Sequence, residues 1–109
     1  MKNCESLIET DADPREDADS GSDAITVLGA MATPARLRVL LALCEGEQTV
    51  SELLARQPIS QPNLSQHLAY LYRNGILERR RDGIYMYYRF AASGPGRLTR
   101  NICGLLPRA

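Results

Sequence analysis

Apolar positions along the chain follow two rhythms: helical spacing from about residue 22 to 74 and again near the C-terminus, with strand-like alternation between them. Ser22 reads as an N-cap for a short helix over 23–32, with Ile25, Leu28 and Met31 on one face. Thr33-Pro34 is an N-cap followed by proline at the first helical position, predicting a helix over 34–45. Leu37, Leu41 and Cys44 form a stripe that Leu40 and Leu43 widen, an apolar surface broad enough for a central helix, and Gly46 ends it. Thr49 or Val50 opens a short helix reaching Gln57, with Leu53 and Leu54 inward. After the Pro58-Ile59 turn, Ser60 caps a helix with Pro62 in its first turn, which Asn74-Gly75 stops. The period then becomes two. Residues 76–81 and 84–90 are strand candidates, and Asp82-Gly83 between them is a strong hairpin signal. A last helix covers 97–106, with Leu98, Ile102, Leu105 and Leu106 on its apolar face. The chain therefore reads as mainly α with one β-hairpin: four helices, the hairpin, then a fifth helix.

Two short helices joined by a tight turn, the second capped and polar on one side, are the parts of a helix-turn-helix. Within 60–74, Leu64, Leu68 and Leu71 share one face and point inward. Ser60, Gln61, Asn63, Ser65, Gln66, His67, Tyr70 and Arg73 are left for the other sides. Gln and Asn match adenine edges, while Ser, Tyr and Arg suit phosphates. A merely solvated polar face would have the same composition. The hairpin separates the two readings, because Arg79, Arg80 and Arg81 precede its turn and Arg89 follows it. A basic β-ribbon beside a helix-turn-helix is a wing, able to follow the DNA backbone or enter the minor groove. The reading is a winged helix-turn-helix with double-stranded DNA as partner. The rival, a winged helix that binds protein and no longer touches DNA, would have lost both the wing arginines and the polar face.

Charge sharpens this. The formal net charge of zero divides into eight acids against two bases in residues 1–23, and eleven arginines against five acids in residues 24–109. The segment predicted to fold is basic, and every base in it is arginine, whose planar fork suits phosphate and guanine. Residues 1–21 are acidic and poor in apolar groups, so they read as a disordered tail ahead of a domain over 22–109. No secretory leader and no run of 18 apolar residues is visible, which points to a cytoplasmic protein with no membrane partner. No metal cluster, glycine-rich phosphate loop or nucleophile–base set is present, so the sequence indicates neither an enzyme nor a cofactor.

The segments Ala32-Thr33-Pro34-Ala35-Arg36-Leu37-Arg38-Val39-Leu40, Thr49-Val50-Ser51-Glu52-Leu53, Ser60-Gln61-Pro62-Asn63-Leu64-Ser65-Gln66-His67-Leu68, Gly75-Ile76-Leu77 and Tyr87-Tyr88 resemble the ArsR/SmtB winged-helix repressors over roughly residues 24–90. The resemblance implies a homodimer held by the first and last helices. It also implies operator binding without ligand, release by a small inducer, and a recognition helix carrying Ser60, Gln61, Asn63, Ser65, Gln66 and His67. His67, the single histidine, falls on a routine position of that helix, which argues against its being a metal ligand.

The same resemblance frames what is sensed. Metalloid sensors of the family carry Cys-x-Cys where this chain has Thr49-Val50-Ser51, and zinc sensors use histidines and carboxylates on the last helix, which this chain lacks. Cys44 and Cys103 remain, on the second and last helices. The sulfide- and redox-responsive subgroup uses one cysteine from each of these helices, and the chain is similar to it, with a reactive sulfur species or an oxidant as the implied inducer. Those members place the first cysteine where this chain has Leu41 and the second about one turn after Cys103, shifts that compensate if the helices run antiparallel. A direct disulfide would need Cα atoms within about 7 Å. Arg100, one turn before Cys103, marks that thiol as the more reactive, with Cys44 resolving. Two alternatives stay open: inert core thiols, and a metalloid or metal site joining Cys103 to another cysteine such as Cys4.

Overall fold

The computed structural model describes residues 14–107, with side chains from residue 21 onward. Helix α1 (Pro14–Met31) is followed by α2 (Pro34–Leu43), strand β1 (Gln48–Thr49), α3 (Val50–Arg56), α4 (Gln61–Arg73), strands β2 (Leu77–Asp82) and β3 (Tyr85–Phe90), and α5 (Gly94–Leu105). The expected order of elements is present, with differences at four places. First, α1 begins at Pro14 and not near residue 23. Proline at a first helical position forfeits no hydrogen bond and brings its φ already set, so the helix starts inside the acidic segment. The rest of the tail expected to be disordered, residues 1–13, lies outside the described residues, as does Cys4.

Second, a two-residue strand β1 precedes α3 and makes the wing a three-stranded antiparallel sheet in the order β1-β3-β2. Gln48 pairs with Tyr88 and Thr49 with Tyr87. Two residues carry no readable period, so β1 shows only through its partner. Third, Asp82 pairs with Tyr85, which leaves Gly83-Ile84, one residue later than expected, as the hairpin loop. Gly83 takes φ +64 while no residue other than glycine has positive φ among those described, the sign pattern of a type II′ turn.

The caps behave as the sequence reading requires. The Thr49 and Glu52 side chains each accept a hydrogen bond from the other's backbone N–H, at 3.1 and 2.8 Å, closing a capping box on α3. The Ser60 hydroxyl accepts from the Asn63 N–H at 3.3 Å at the start of α4. Leu40, Leu53, Leu64, Leu68, Leu71 and Ile76 are fully buried and, with Leu77 and Tyr88 of the sheet, join α2, α3 and α4 in one core. In α1 the buried residues are Val27 and Ala30; Ile25 and Leu28, on the stripe expected to face a neighbour, are exposed in the single chain. Helix α5 starts at Gly94, three residues earlier than expected, and buries Gly96, Thr99 and Cys103. No single helix among the described residues is long and apolar enough to cross a membrane.

Candidate nucleic-acid interface

Leu64, Leu68 and Leu71 anchor α4, and this burial decides what the rest of the helix displays. Gln61, Asn63, Ser65, Gln66, Tyr72 and Arg73 are exposed, while His67 and Tyr70 are half-buried on the flank nearest α2. Ser60 is exposed, with its hydroxyl engaged in the cap. The polar residues named from the sequence thus lie on one continuous side of α4.

Two residues that the sequence reading did not assign border this surface. The Arg36 guanidinium, from α2, lies over the Tyr70 ring at 4.2 Å and donates to the carbonyl oxygens of Ala30 (3.0 Å) and Gly29 (3.3 Å). On the opposite flank, Arg79 of β2 lies over the Tyr72 ring at 4.0 Å. These cation–π contacts fix a cation at each edge of α4. Tyr72 was discernible as an exposed aromatic beside Arg73. Arg36 lies 34 positions before Tyr70, and nothing in the local pattern links the two.

The three consecutive wing arginines do not act together. Side chains alternate along a strand, so Arg79 and Arg81 share the sheet face of buried Leu77, toward α4, and Arg80 points to the other. There Glu47 accepts from Arg80 Nε and Nη2 at 2.8 Å each, and Arg80 lies 4.4 Å from the Tyr87 ring centroid. Arg89 continues this outer ladder, 2.5 Å from Glu78 and 3.8 Å from Glu47. Among the described residues Arg81 has no carboxylate within ion-pair distance, so Arg79 and Arg81 are the cations the wing presents beside α4.

The cysteines are placed differently from each other. Cys44 is the C-cap of α2, half-buried, and lines an open cavity of about 230 Å³ with Glu47, Arg89, Phe90 and Arg100. Cys103 is fully buried in α5. Both are thiols, and both touch the same apolar cluster. The sequence marks Cys103 as the more reactive thiol, but packing around α5 shields it whereas the end of α2 opens Cys44 to the cavity. Among the described residues no group of three or more His, Cys, Asp or Glu is placed to hold a metal ion.

Comparison with known proteins agrees with this geometry. Transcriptional activator HlyU of Vibrio cholerae is 36% identical over 74 residues, covering 68% of this chain and 68% of that protein. The solved structure of reduced HlyU superposes with a TM-score of 0.72 at 33% identity, covering 84% of this chain and 93% of that one. The biofilm growth-associated repressor of Xylella fastidiosa is 35% identical over 85 residues, 77% of this chain and 75% of its own length. The homodimeric winged helix-turn-helix DNA-binding domain Mb0332 from Mycobacterium bovis has a TM-score of 0.68 at 25% identity, over 89% of this chain and 84% of that one. Residues 33–79, from the N-cap of α2 into the wing, match the bacterial regulatory protein, arsR family. The chain belongs to that family, and is a winged-helix transcriptional regulator and not an enzyme.

Proposed function

We propose that the chain is a repressor that binds operator DNA sequence-specifically as a homodimer and releases it when Cys44 and Cys103 are modified. The observation that carries the DNA half is the division of α4 between three buried leucines and a continuous exposed polar side. Gln61, Asn63 and Gln66 read base edges in the major groove. Ser60, Ser65, Tyr70, His67 and Arg73 hold the flanking backbone, and Arg79 and Arg81 extend the contact from the wing. Arg80 acts through the shape of the wing, since its charge is committed to Glu47. Titrating a duplex selected from a random library tests this. Gln66→Ala relaxes preference at one base-pair position in each half-site, while Arg81→Ala weakens all duplexes alike and lowers the salt slope by about 0.9 per half-site. Unchanged selectivity in Gln66→Ala overturns the assignment of α4.

The thiol half is supported by the cavity that brings Arg100, one turn before Cys103, beside Cys44. Cys44 is the thiol that meets the reagent and Cys103 the one that resolves. With diamide, an azo oxidant, the two thiols give up two protons and two electrons to the N=N bond as the S–S bond forms. Mass spectrometry after diamide or a persulfide donor detects a Cys44–Cys103 crosslink, and DNA affinity falls with it; Cys44→Ser binds DNA and no longer responds. The full burial of Cys103 favours a second reading, inert core thiols, in which no crosslink forms and DNA affinity does not change.

A further inference from the structure

A groove of about 440 Å³ on the polar side of α4 is lined by Arg36, Gln66, His67, Ala69, Tyr70 and Arg73. Arg36 and Arg73 have no ion pair among the described residues, and no carboxylate lines the groove. Arg36 is held in place before any ligand arrives, by two backbone carbonyls of α1 and by the Tyr70 ring. His67 shares the groove, and burial together with the Arg36 charge holds its proton affinity below the ordinary histidine value. A preorganised cluster of bases with no acid among them is complementary to an anion.

We propose that Arg36, His67 and Arg73 form a seat for one backbone phosphate of double-stranded DNA, and that filling the seat draws a proton onto His67. The inference rests on the DNA-binding reading and adds to it a residue from α2, a ligand group and a dependence on pH. The phosphate charge opposes the Arg36 charge that disfavours imidazolium, so the complex holds more protons than the free protein and binds more tightly as pH falls. The groups facing His67 are Arg36 from α2 and Tyr70, Arg73 and Gln66 from α4. His67 is the chain's one histidine, so the effect is assignable.

The test is the affinity of the full chain for its selected duplex between about pH 5 and pH 8 at constant ionic strength. Wild type tightens on acidification by up to about tenfold per pH unit for each half-site, the limit for uptake of one proton per protomer. His67→Gln binds more weakly at low pH and shows no such slope. Arg36→Gln loses about 0.9 from the salt slope per half-site and Arg36→Lys keeps it, a split that misfolding would not produce. Replacing single phosphates by neutral methylphosphonate abolishes the pH dependence at one position per half-site. Binding by wild type that ignores pH, or a pH slope that survives His67→Gln, overturns the seat and leaves the DNA interface standing. Failure to bind any duplex at any pH overturns both.

Discussion

Glu47 decides which wing arginine keeps its guanidinium uncommitted. It sits just before β1 and accepts both donors of the Arg80 fork, and that hydrogen bonding holds its carboxyl below its ordinary value of 4.5. A depressed carboxyl pKa adds stability that is fully present above the unfolded value and lost as pH falls through the folded one. Glu47→Gln is therefore expected to be less stable than wild type at neutral pH and to lose less on acidification below about pH 4.5, read as urea midpoints across pH. Superimposed acid limbs would show that the pair contributes nothing. The affinity of Glu47→Gln for DNA tests the same residue from the other side: releasing Arg80 adds a cation to the wing and raises binding to all duplexes without changing selectivity. None of this was readable locally, because Glu47 and Arg80 are 33 residues apart and the run Arg79-Arg80-Arg81 looks uniform until the strand assigns its faces.

At the scale of elements, the ends of helices were the most readable features and their neighbours the least. Thr49, Ser60, Pro34 and Gly75 each mark a boundary by a local mechanism, and each marks one in the structure. Strand β1 and the contact of Arg36 with Tyr70 depend on partners far along the chain. Gly96 is a further instance. It precedes the helix expected over 97–106, yet it is buried in the first turn of α5. A Cβ there would lie 2.6 Å from the backbone N and O and the Cβ of Ala91, none of which is the end of a flexible side chain. Gly96→Ala is expected to cost about 1–3 kcal/mol in chemical denaturation by displacing α5 from the end of β3. Thr49→Ala, which opens the capping box of α3, is expected to cost about 1 kcal/mol. Gly96→Ala as stable as wild type would show that α5 shifts freely at its start.

On the proposed reading the molecule meets DNA through α4 and the wing, and it also carries exposed apolar side chains on its terminal helices. Helices α1 and α5 pack on each other and leave Ile25, Leu28 and Leu105 exposed at 75%, 63% and 85%. Under the proposed homodimer, these side chains meet a second copy. Leu28→Glu then keeps the helical fold but elutes as a monomer, and binds a palindromic duplex no better than a half-site. The same arrangement constrains how thiol modification could act. Cys103 lies on α5, and Cys44 lines its cavity with the wing residue Arg89, at the far end of α2 from Arg36. Neither cysteine belongs to the set of α4 residues that would touch DNA. Under the proposed thiol switch, modification would act through the placement of the two α4 helices, which must reach successive major grooves about 34 Å apart. Reduced and crosslinked protein should accordingly bind a half-site duplex equally, while the crosslinked form loses affinity for the full palindrome. Equal loss on both duplexes would mean that modification distorts α4 within one protomer, and the coupling would belong to the core shared by α2 and α4 and not to the dimer.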